Sequence, residues 1–395
     1  MATLSQWQKI DRVLSGCPFG NGSDGAYSSA TIPTLVNLSC SGTATSTTLT
    51  VSSTTLANGD IILIHQTRGT GVGQWEINKV TSGGGTASLT LMKALQYTYT
   101  DSGASQAQVI KVPMYLSVSV ASGTWTVPPW NMTTTVGGIL AFACRTTCNL
   151  SNTITGIGTT YTGPNDVNPT NWGTGFNGGG GDSTAPSSQY AYQGEGSAGD
   201  RAKATTANGN GGGGGKEYDP YGASGGGGGN GASGGNGSSG GSGVGGTGGG
   251  ASGATDLTSI TFGGSGGGGA LVSGEAGGGG GCGGGIVFIF AQNITAVNSI
   301  ALSGGGGDFG DSGTTGGGGG GAGGSCLIAC QVATLGATNV VASGGTGKHN
   351  GGNGGVGRIA VHHSGTVTGT TTPTFTDVSD PTLIESNAGV LMNFI

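Results

Sequence analysis

Charged residues are scarce in this sequence, and that scarcity excludes several kinds of protein. Among 395 residues, Lys and Arg number 12 and Asp and Glu number 18, a formal net charge of −6. A nucleic-acid-binding surface needs clustered Lys and Arg, so we expect no nucleic-acid partner. No apolar run approaches the roughly 18 residues of a membrane-spanning helix. The start, MATLSQWQKI, also lacks the apolar core of a secretory signal. We therefore expect neither membrane insertion nor a signal peptide.

The usual motifs of catalysis and cofactor binding are missing as well. No GxxxxGK[ST] phosphate loop occurs, and no GxGxxG string stands between a strand and a helix. His362 and His363 would face opposite sides of a strand, so they cannot share a metal ion from it. The sequence predicts no enzyme, no cofactor, and neither a catalytic nor a metal site. A pair of carboxylates brought together by folding, as in a glycosidase, is an arrangement that spacing leaves open.

Cysteines are few, and their spacing gives no zinc or redox motif. None of the seven belongs to a CxxC string. Cys144 and Cys148 are four residues apart, as are Cys326 and Cys330. On an extended strand that spacing separates the two residues by roughly 13 Å, too far for a disulfide unless the chain turns. We expect small buried side chains or free thiols.

The first third of the chain predicts a short helix and a β domain. Residues 1–16 have apolar residues at helical spacing and end in glycine, which predicts a helix that attaches to a partner or packs on its own domain. Residues 17–135 are rich in Thr, Ser and Val and predict an N-terminal antiparallel β domain. Its predicted strands and turns alternate: a turn at 58–60, strands at 61–66 and 75–80, a turn at 82–85, and a strand at 88–95.

An internal repeat follows, within residues 136–369. GGIVFIFAQNITAVNSIALSGG, from Gly284, aligns without a gap onto GSCLIACQVATLGATNVVASGG, 40 residues further on, so that Ile286 meets Cys326. An earlier copy starts at Gly137 and a partial copy at Val356. Each copy predicts a strand, a short turn and a second strand, and stacked copies would bury one another's faces. Residues 370–395 form a C-terminal tail.

Glycine supplies 94 residues, mostly in excursions between the copies, at about 159–283, 304–323 and 344–357. With 11 prolines and no Gly-X-Y period, a collagen triple helix is excluded. Polyglycine-II helices fit instead, because their outward N–H and C=O groups can bond to neighbours that only glycine lets approach. The predicted fold is all-β: an N-terminal β domain, then a repeat-built β body whose excursions form bundled polyglycine-II helices.

Large aromatic side chains interrupt the glycine runs where the chain is expected to turn. They are Trp172, Phe176, Tyr190, Tyr192, Tyr218, Tyr221, Phe262 and Phe309. KEYDPYG, with a proline between two tyrosines, predicts an exposed loop tip. Aromatics on rigid loops form contact surfaces for sugars and proteins; the alternative is that these rings only cover the ends of the helix array. The candidate receptor-binding residues are Tyr218, Tyr221, Trp172 and Phe309.

The excursions with short polar and aromatic tips resemble the receptor-binding adhesins at the ends of some tailed-phage long tail fibres. This resemblance covers about residues 159–358 and implies a polyglycine-II sandwich whose distal loops contact the host surface. CPFGNGSDGAY (17–27) and ILIHQTRGTGVGQWEINKV (62–80) also resemble the opening domain of glycine-rich phage and bacterial surface-fibre proteins. The chain departs from the tail-fibre adhesins in having its own β domain and a β repeat.

These observations predict a non-enzymatic fibre or surface component of a virion. The expected role is an adhesin that binds a host-surface glycan or outer-membrane protein. The alternative is a structural subunit without receptor binding, which decorates a capsid or assembles into an extracellular filament. In either case we expect a homo-oligomer, on the virion or outside the cell, that joins other virion or fibre subunits through its N-terminal region.

Overall fold

The computed structural model describes residues 17–160, 173–181, 190–217, 221–241, 243–272, 275–311 and 314–384. These residues form sixteen β-strands and no helix, so within them no helix is long and apolar enough to cross a membrane. The strands are β1 (Ala26–Ser28), β2 (Asn37–Ser41), β3 (Thr48–Val51), β4 (Ile61–Arg68), β5 (Trp75–Ser82), β6 (Ser88–Leu91), β7 (Gln106–Lys111), β8 (Met114–Tyr115), β9 (Ser117–Ser119), β10 (Thr124–Thr126), β11 (Ile139–Thr155), β12 (Ile286–Ala301), β13 (Ser325–Val341), β14 (Arg358–His363), β15 (Val367–Thr372) and β16 (Thr376–Ser379). The all-β prediction is confirmed, and the helix predicted for residues 1–16 lies outside the described residues.

Six of the strands close into an antiparallel barrel, in the order β2-β3-β6-β5-β4-β7. β4 pairs with β5 from Ile61 opposite Lys79 to His65 opposite Trp75. Alternating residues such as Ile62 and Ile64 fill the barrel interior and are fully buried, as the period of two in a strand requires. The strands predicted at 61–66 and 75–80 are confirmed, whereas the third predicted strand is shorter and ends at Leu91.

The other ten strands form one parallel sheet, in which β11, β12, β13 and β14 lie side by side. Along β12, Ile286, Phe288 and Phe290 point to one buried cluster, and Val287 and Ile289 point to another. Burial on both faces is typical of parallel sheets and explains why these strands are continuous apolar runs. The first cluster also contains barrel residues such as Trp75, so the sheet and the barrel share a core.

Two details of the predicted repeat are wrong. Each long strand is continuous through bulges, with no turn between two separate strands. The offset of 40 residues holds near the C-terminal ends of the two strands, where Ile300 pairs with Val340. At their N-terminal ends, Ile286 pairs with Ser325 and not with Cys326. The register of β12 against β13 shifts by one residue between the two halves of the strands, which accounts for the difference between the two offsets. Because one residue of slip exchanges the faces of a strand, no gap-free alignment can match both halves.

Both halves of a long strand contribute to the same buried cluster. Val287 lies in the first half of β12 and Ile300 in the second, yet both belong to the same buried cluster. Cys144 and Cys148 flank a bulge of β11 in the same cluster. All seven cysteines lie in the described part of the chain, where they are buried and form no disulfide.

The remaining glycine-rich segments pack beside this core, and we call them together the glycine array: residues 173–181, 190–217, 221–241, 243–272, 275–285, 302–311, 314–324 and 342–357. Successive amide groups along a segment donate hydrogen bonds to different neighbouring segments in turn. One set of donors in residues 264–270 steps along a single neighbour: Gly264 to Gly229, Gly267 to Gly226 and Ala270 to Ala223. The other donors follow the same rule toward two further segments: Ser265 to Glu195, Gly268 to Tyr192, Gly266 to Gly281 and Gly269 to Gly278.

The segments approach one another too closely for side chains. A Cβ atom added to Gly318 would lie 1.9 Å from the carbonyl oxygen of Gly279, and one added to Gly267 would lie 2.0 Å from that of Gly213. In each set the acceptor numbers fall as the donor numbers rise, so the three segments that accept from the segment 264–270 are antiparallel to it, whereas residues 212–215, which donate to it, are parallel. Main-chain hydrogen bonds between neighbouring segments therefore hold the array together.

A buried polar cluster joins the glycine array to the barrel. Glu195 accepts hydrogen bonds from Nη1 of Arg68 at 2.6 Å, from Nε1 of Trp130 at 3.0 Å and from the amide of Asn177 at 3.0 Å. Burial raises the pKa of the Glu195 carboxyl, although the Arg68 guanidinium acts to lower it. Nε2 of His65, on β4, lies 2.9 Å from the carbonyl oxygen of Ile260. One end of the array is therefore fixed to the barrel.

Phe176 and Phe262 lie at this joined end, which corrects their expected place at the turn tips. Both are fully buried, with ring centroids 5.3 Å apart, and both pack against Trp130. They fill the space between the array and the barrel, where glycine alone would leave a void.

Candidate binding face

Connections between glycine segments converge at the end of the array away from the barrel. Main-chain hydrogen bonds join them: Lys216 to Val244 at 2.8 Å, Gly222 to Thr314 at 3.0 Å, Ser238 to Asn350 at 3.1 Å, and Asp311 to Ala276 at 3.0 Å. Ala270 lies ten residues along the chain from Ile260, which is at the barrel, and ten extended residues span at most about 35 Å. We call this end the tip face; its described residues are Lys216, Tyr221, Ser238–Gly241, Val244, Val272, Glu275, Phe309, Asp311, Thr314 and Lys348–Asn350.

The structure places two of the four predicted receptor-binding residues on the tip face. Tyr221 is 51% exposed and Phe309 is 54% exposed, and they are the aromatic members of the exposed large apolar side chains among the described residues. Tyr218 and Trp172 lie outside the described residues. The sequence therefore identified the two exposed rings of the described tip face, but it did not indicate which polar side chains surround them.

A cleft of about 270 Å³ opens beside Tyr221. Four connections contribute its walls, and the lining side chains are those of Tyr221, Ser224, Ser238, Ser239, Thr314, Thr315, His349 and Asn350. Ser224 donates its hydroxyl to the carbonyl oxygen of His349 at 2.6 Å, which ties the floor of the cleft to one wall. The sequence analysis did not identify these polar residues, although short polar stretches between glycine runs mark them.

Phe309 lies on the other side of His349. Their ring centroids are 4.9 Å apart at an interplanar angle of 73°, an edge-to-face contact. Nζ of Lys348 lies 5.2 Å from the centroid of the Phe309 ring, within the range of a cation–π interaction. His349 thus contacts the Phe309 ring and also lines the cleft beside Tyr221.

His349 and Asn350 both adopt left-handed backbone conformations, with φ of 40° and 64°. Asn and His occupy this region more readily than most residues, but for a non-glycine residue it remains costly. Nδ1 of His349 is buried and has no hydrogen-bond partner in the described structure. Together these features mark the 348–350 connection as a strained and incompletely satisfied part of the tip face.

Lysines cover two of the other predicted tip aromatics. Nζ of Lys216 lies 5.0 Å from the centroid of the Tyr190 ring, and Nζ of Lys203 lies 5.3 Å from that of Tyr192. Both tyrosines are half-buried. Their rings therefore offer less open surface than those of Tyr221 and Phe309.

The histidines and acids elsewhere are engaged in structural contacts. His362 faces the carbonyl oxygen of Asp256 at 2.7 Å, while His363 pairs with Asp377 at 2.6 Å on the opposite side of β14. Among the described residues no group of three or more His, Cys, Asp or Glu side chains could hold a metal ion.

Comparison with known proteins gives one structural similarity. No protein-family model matches the chain, and no curated protein matches it. Part of the chain is similar to the Gp54 tailspike of Acinetobacter baumannii bacteriophage AP22, whose structure is a complex with A. baumannii capsular saccharide. The match has 9% sequence identity and a TM-score of 0.19, and it covers 35% of this chain and 26% of the tailspike. The matched region is thus about a quarter of the tailspike's length.

Proposed function

We propose that the glycine array is a bundle of polyglycine-II helices. The support is the three-residue period of its hydrogen bonds: donors and acceptors both step by three residues along each pair of segments. A helix with three residues per turn directs every third amide to the same neighbour. The proposal also accounts for the glycines, because their neighbours' carbonyl oxygens occupy the positions that side chains would need.

We propose further that the chain is a non-enzymatic adhesin of a virion or extracellular fibre, which binds a host-surface glycan or outer-membrane protein through the tip face. The observation that carries this proposal is the exposure of Tyr221 and Phe309 together, at the end of the array away from the barrel. Half-exposed aromatic rings on a rigid base lose little conformational entropy on binding and supply large contact area.

The rest of the fold suits this role. A bundle cross-linked by main-chain hydrogen bonds holds the connections in fixed positions, so binding does not have to order them. The barrel lies at the other end, and the N-terminal region is the proposed attachment to other virion or fibre subunits. We propose that the attached form is a homo-oligomer.

The competing function is a structural subunit of a capsid or filament, without receptor binding. The two differ in what covers the tip face after assembly, since a filament would bury the exposed rings at subunit contacts and an adhesin would leave them free. Electron microscopy of the native particle tests this directly. The adhesin proposal expects Tyr221 and Phe309 at a free end; tips buried between subunits would contradict it.

The absence of enzymatic activity is tested separately. Purified full-length chain is incubated with capsular and lipopolysaccharide preparations from susceptible cells, and released reducing ends are measured. We expect no release above a heat-denatured control. Cleavage that a single Asp or Glu substitution abolishes would contradict the proposal.

A further inference from the structure

We propose that the cleft beside Tyr221 is a subsite for an uncharged sugar ring. This inference rests on the proposed adhesin role of the tip face, and it specifies the chemical class of the ligand. The cleft has a volume of about 270 Å³, a little below the roughly 300–1,000 Å³ of drug-sized sites, which suits a single ring. It also combines one aromatic wall with polar walls. A sugar ring carries both C–H groups and hydroxyl groups, so it can contact both kinds of wall.

The aromatic wall is the Tyr221 ring. A Cβ atom added to Gly241 would lie 3.4 Å from Cδ2 of Tyr221, so the ring rests against a residue that has no side chain. One side of the ring is supported in this way while the side chain stays 51% exposed. A supported and open aromatic face is suited to packing against the C–H groups of a pyranose.

The polar walls come from three separate connections. Ser238 and Ser239 supply hydroxyl groups from one, Thr314 from the second, and Asn350 an amide from the third. Hydroxyls donate and accept, and an amide does both, so this set can match the mixed hydrogen-bonding pattern of sugar hydroxyls.

These walls are fixed before any ligand arrives. The amide of Ser238 donates to the carbonyl oxygen of Asn350 at 3.1 Å, and the amide of Gly222 donates to that of Thr314 at 3.0 Å. The hydroxyl of Ser224 also donates to the carbonyl oxygen of His349 at 2.6 Å, which fixes the floor of the cleft.

The lining favours an uncharged sugar over an acidic one. None of the described lining residues carries a carboxylate, ammonium or guanidinium group. The nearest lysine, Lys348, is held over the Phe309 ring. A carboxylate placed in this cleft would lose hydration without gaining an ion pair, and that is costly.

The test is saturation-transfer difference NMR on the full-length chain. The probes are the methyl glycosides of glucose, galactose, mannose and N-acetylglucosamine, with glucuronic acid as the charged comparison. We expect transfer to at least one neutral glycoside, strongest at the C–H protons of one ring face. Tyr221→Ala should reduce it by about tenfold, as loss of an aromatic anchor does. Tyr221→Phe keeps the ring and should retain it, as should Met92→Ala, an exposed apolar residue of the barrel.

The outcomes separate this inference from the adhesin proposal. No transfer to any neutral glycoside, equal transfer in Tyr221→Ala, or stronger binding of glucuronic acid would each overturn the sugar subsite. Whole-cell binding by the same variants is the second readout. If Phe309→Ala abolishes cell binding while Tyr221→Ala leaves it unchanged, the tip face is still an adhesin and the cleft is not its sugar site.

Discussion

The guanidinium of Arg68 and the carboxylate of Glu195 lie 2.6 Å apart, across the junction between the barrel and the glycine array, and both side chains are almost fully buried. Removing one partner leaves the other charge buried and unpaired. We expect Arg68→Leu to lower the free energy of unfolding by about 3–5 kcal/mol. Urea denaturation at pH 7 measures this.

The matched control is the pair formed by Lys111 and Asp60, at 2.8 Å, in which the lysine side chain is 39% exposed. Lys111→Leu should cost less than about 1 kcal/mol because water screens an exposed pair. Equal costs for the two substitutions would show that the Arg68–Glu195 contact does not fix the array to the barrel.

Two glycines of the array should respond in opposite ways to alanine. At Gly318 the new Cβ would lie 1.9 Å from the carbonyl oxygen of Gly279, so neighbouring segments must separate and lose hydrogen bonds. We expect Gly318→Ala to cost at least about 2 kcal/mol. At Gly306 the nearest atom would be 3.5 Å away. Gly306→Ala should therefore be neutral or stabilise by up to about 1 kcal/mol. Thermal unfolding of both variants is the measurement, and a tolerated Gly318→Ala would contradict the close packing.

His65 should make the fold sensitive to mild acid. Nε2 faces a carbonyl oxygen, so it donates to Ile260, and Nδ1 accepts from the hydroxyl of Thr67 at 2.9 Å. This is the hydrogen bonding of a neutral imidazole, and burial lowers the His65 pKa from 6.5 to about 4. The unfolded state therefore binds the proton more readily, so this stability is present above pH 6.5 and is lost as the pH falls toward 4.

The difference between 6.5 and about 4 corresponds to roughly 3 kcal/mol. Urea unfolding at several pH values should show that His65→Gln flattens this dependence, because glutamine can still donate to Ile260 and does not titrate. Burial also lowers the pKa of His362, which adds to the acid loss, and raises that of Glu195, which opposes it. An unchanged slope in His65→Gln would contradict the neutral buried imidazole.

All seven cysteines are buried, so thiol reagents should not reach them in the folded chain. A hydrogen bond with Cys148 lowers the pKa of Cys144, but that side chain is fully buried too. Burial raises the pKa of both Cys326 and Cys330 to about 12, so their reactive thiolate forms are almost absent at pH 8. Titration with an aromatic disulfide reagent should detect no thiol in native protein and seven in 6 M urea. Rapid reaction of native protein would contradict the buried core of the sheet.

Much of this fold follows from local sequence. The apolar and β-branched residues of β4 and β5 predict the barrel strands, because such side chains pack well on a pleated surface. The bulges could not be predicted from the sequence, because the one-residue shift in register is seen only in the pairing of β12 with β13. Phe176 and Phe262 were misplaced for a similar reason: a ring among glycines suits a tip or a junction equally well until the barrel's position is known. Exposure of Tyr221 was predictable because proline and polar residues precede it.

The central claim is that the tip face binds a host receptor, and whole-cell binding tests it most directly. Labelled full-length chain is titrated onto cells that adsorb the particle carrying it. The variants are Tyr221→Ala with Phe309→Ala, and a control pair, Met92→Ala with Leu116→Ala, that removes comparably exposed apolar side chains elsewhere. We expect the first pair to lower binding by about tenfold or more. Binding by the control pair, and the folding of both variants, should be unchanged. Full binding by a correctly folded Tyr221→Ala, Phe309→Ala chain would contradict it.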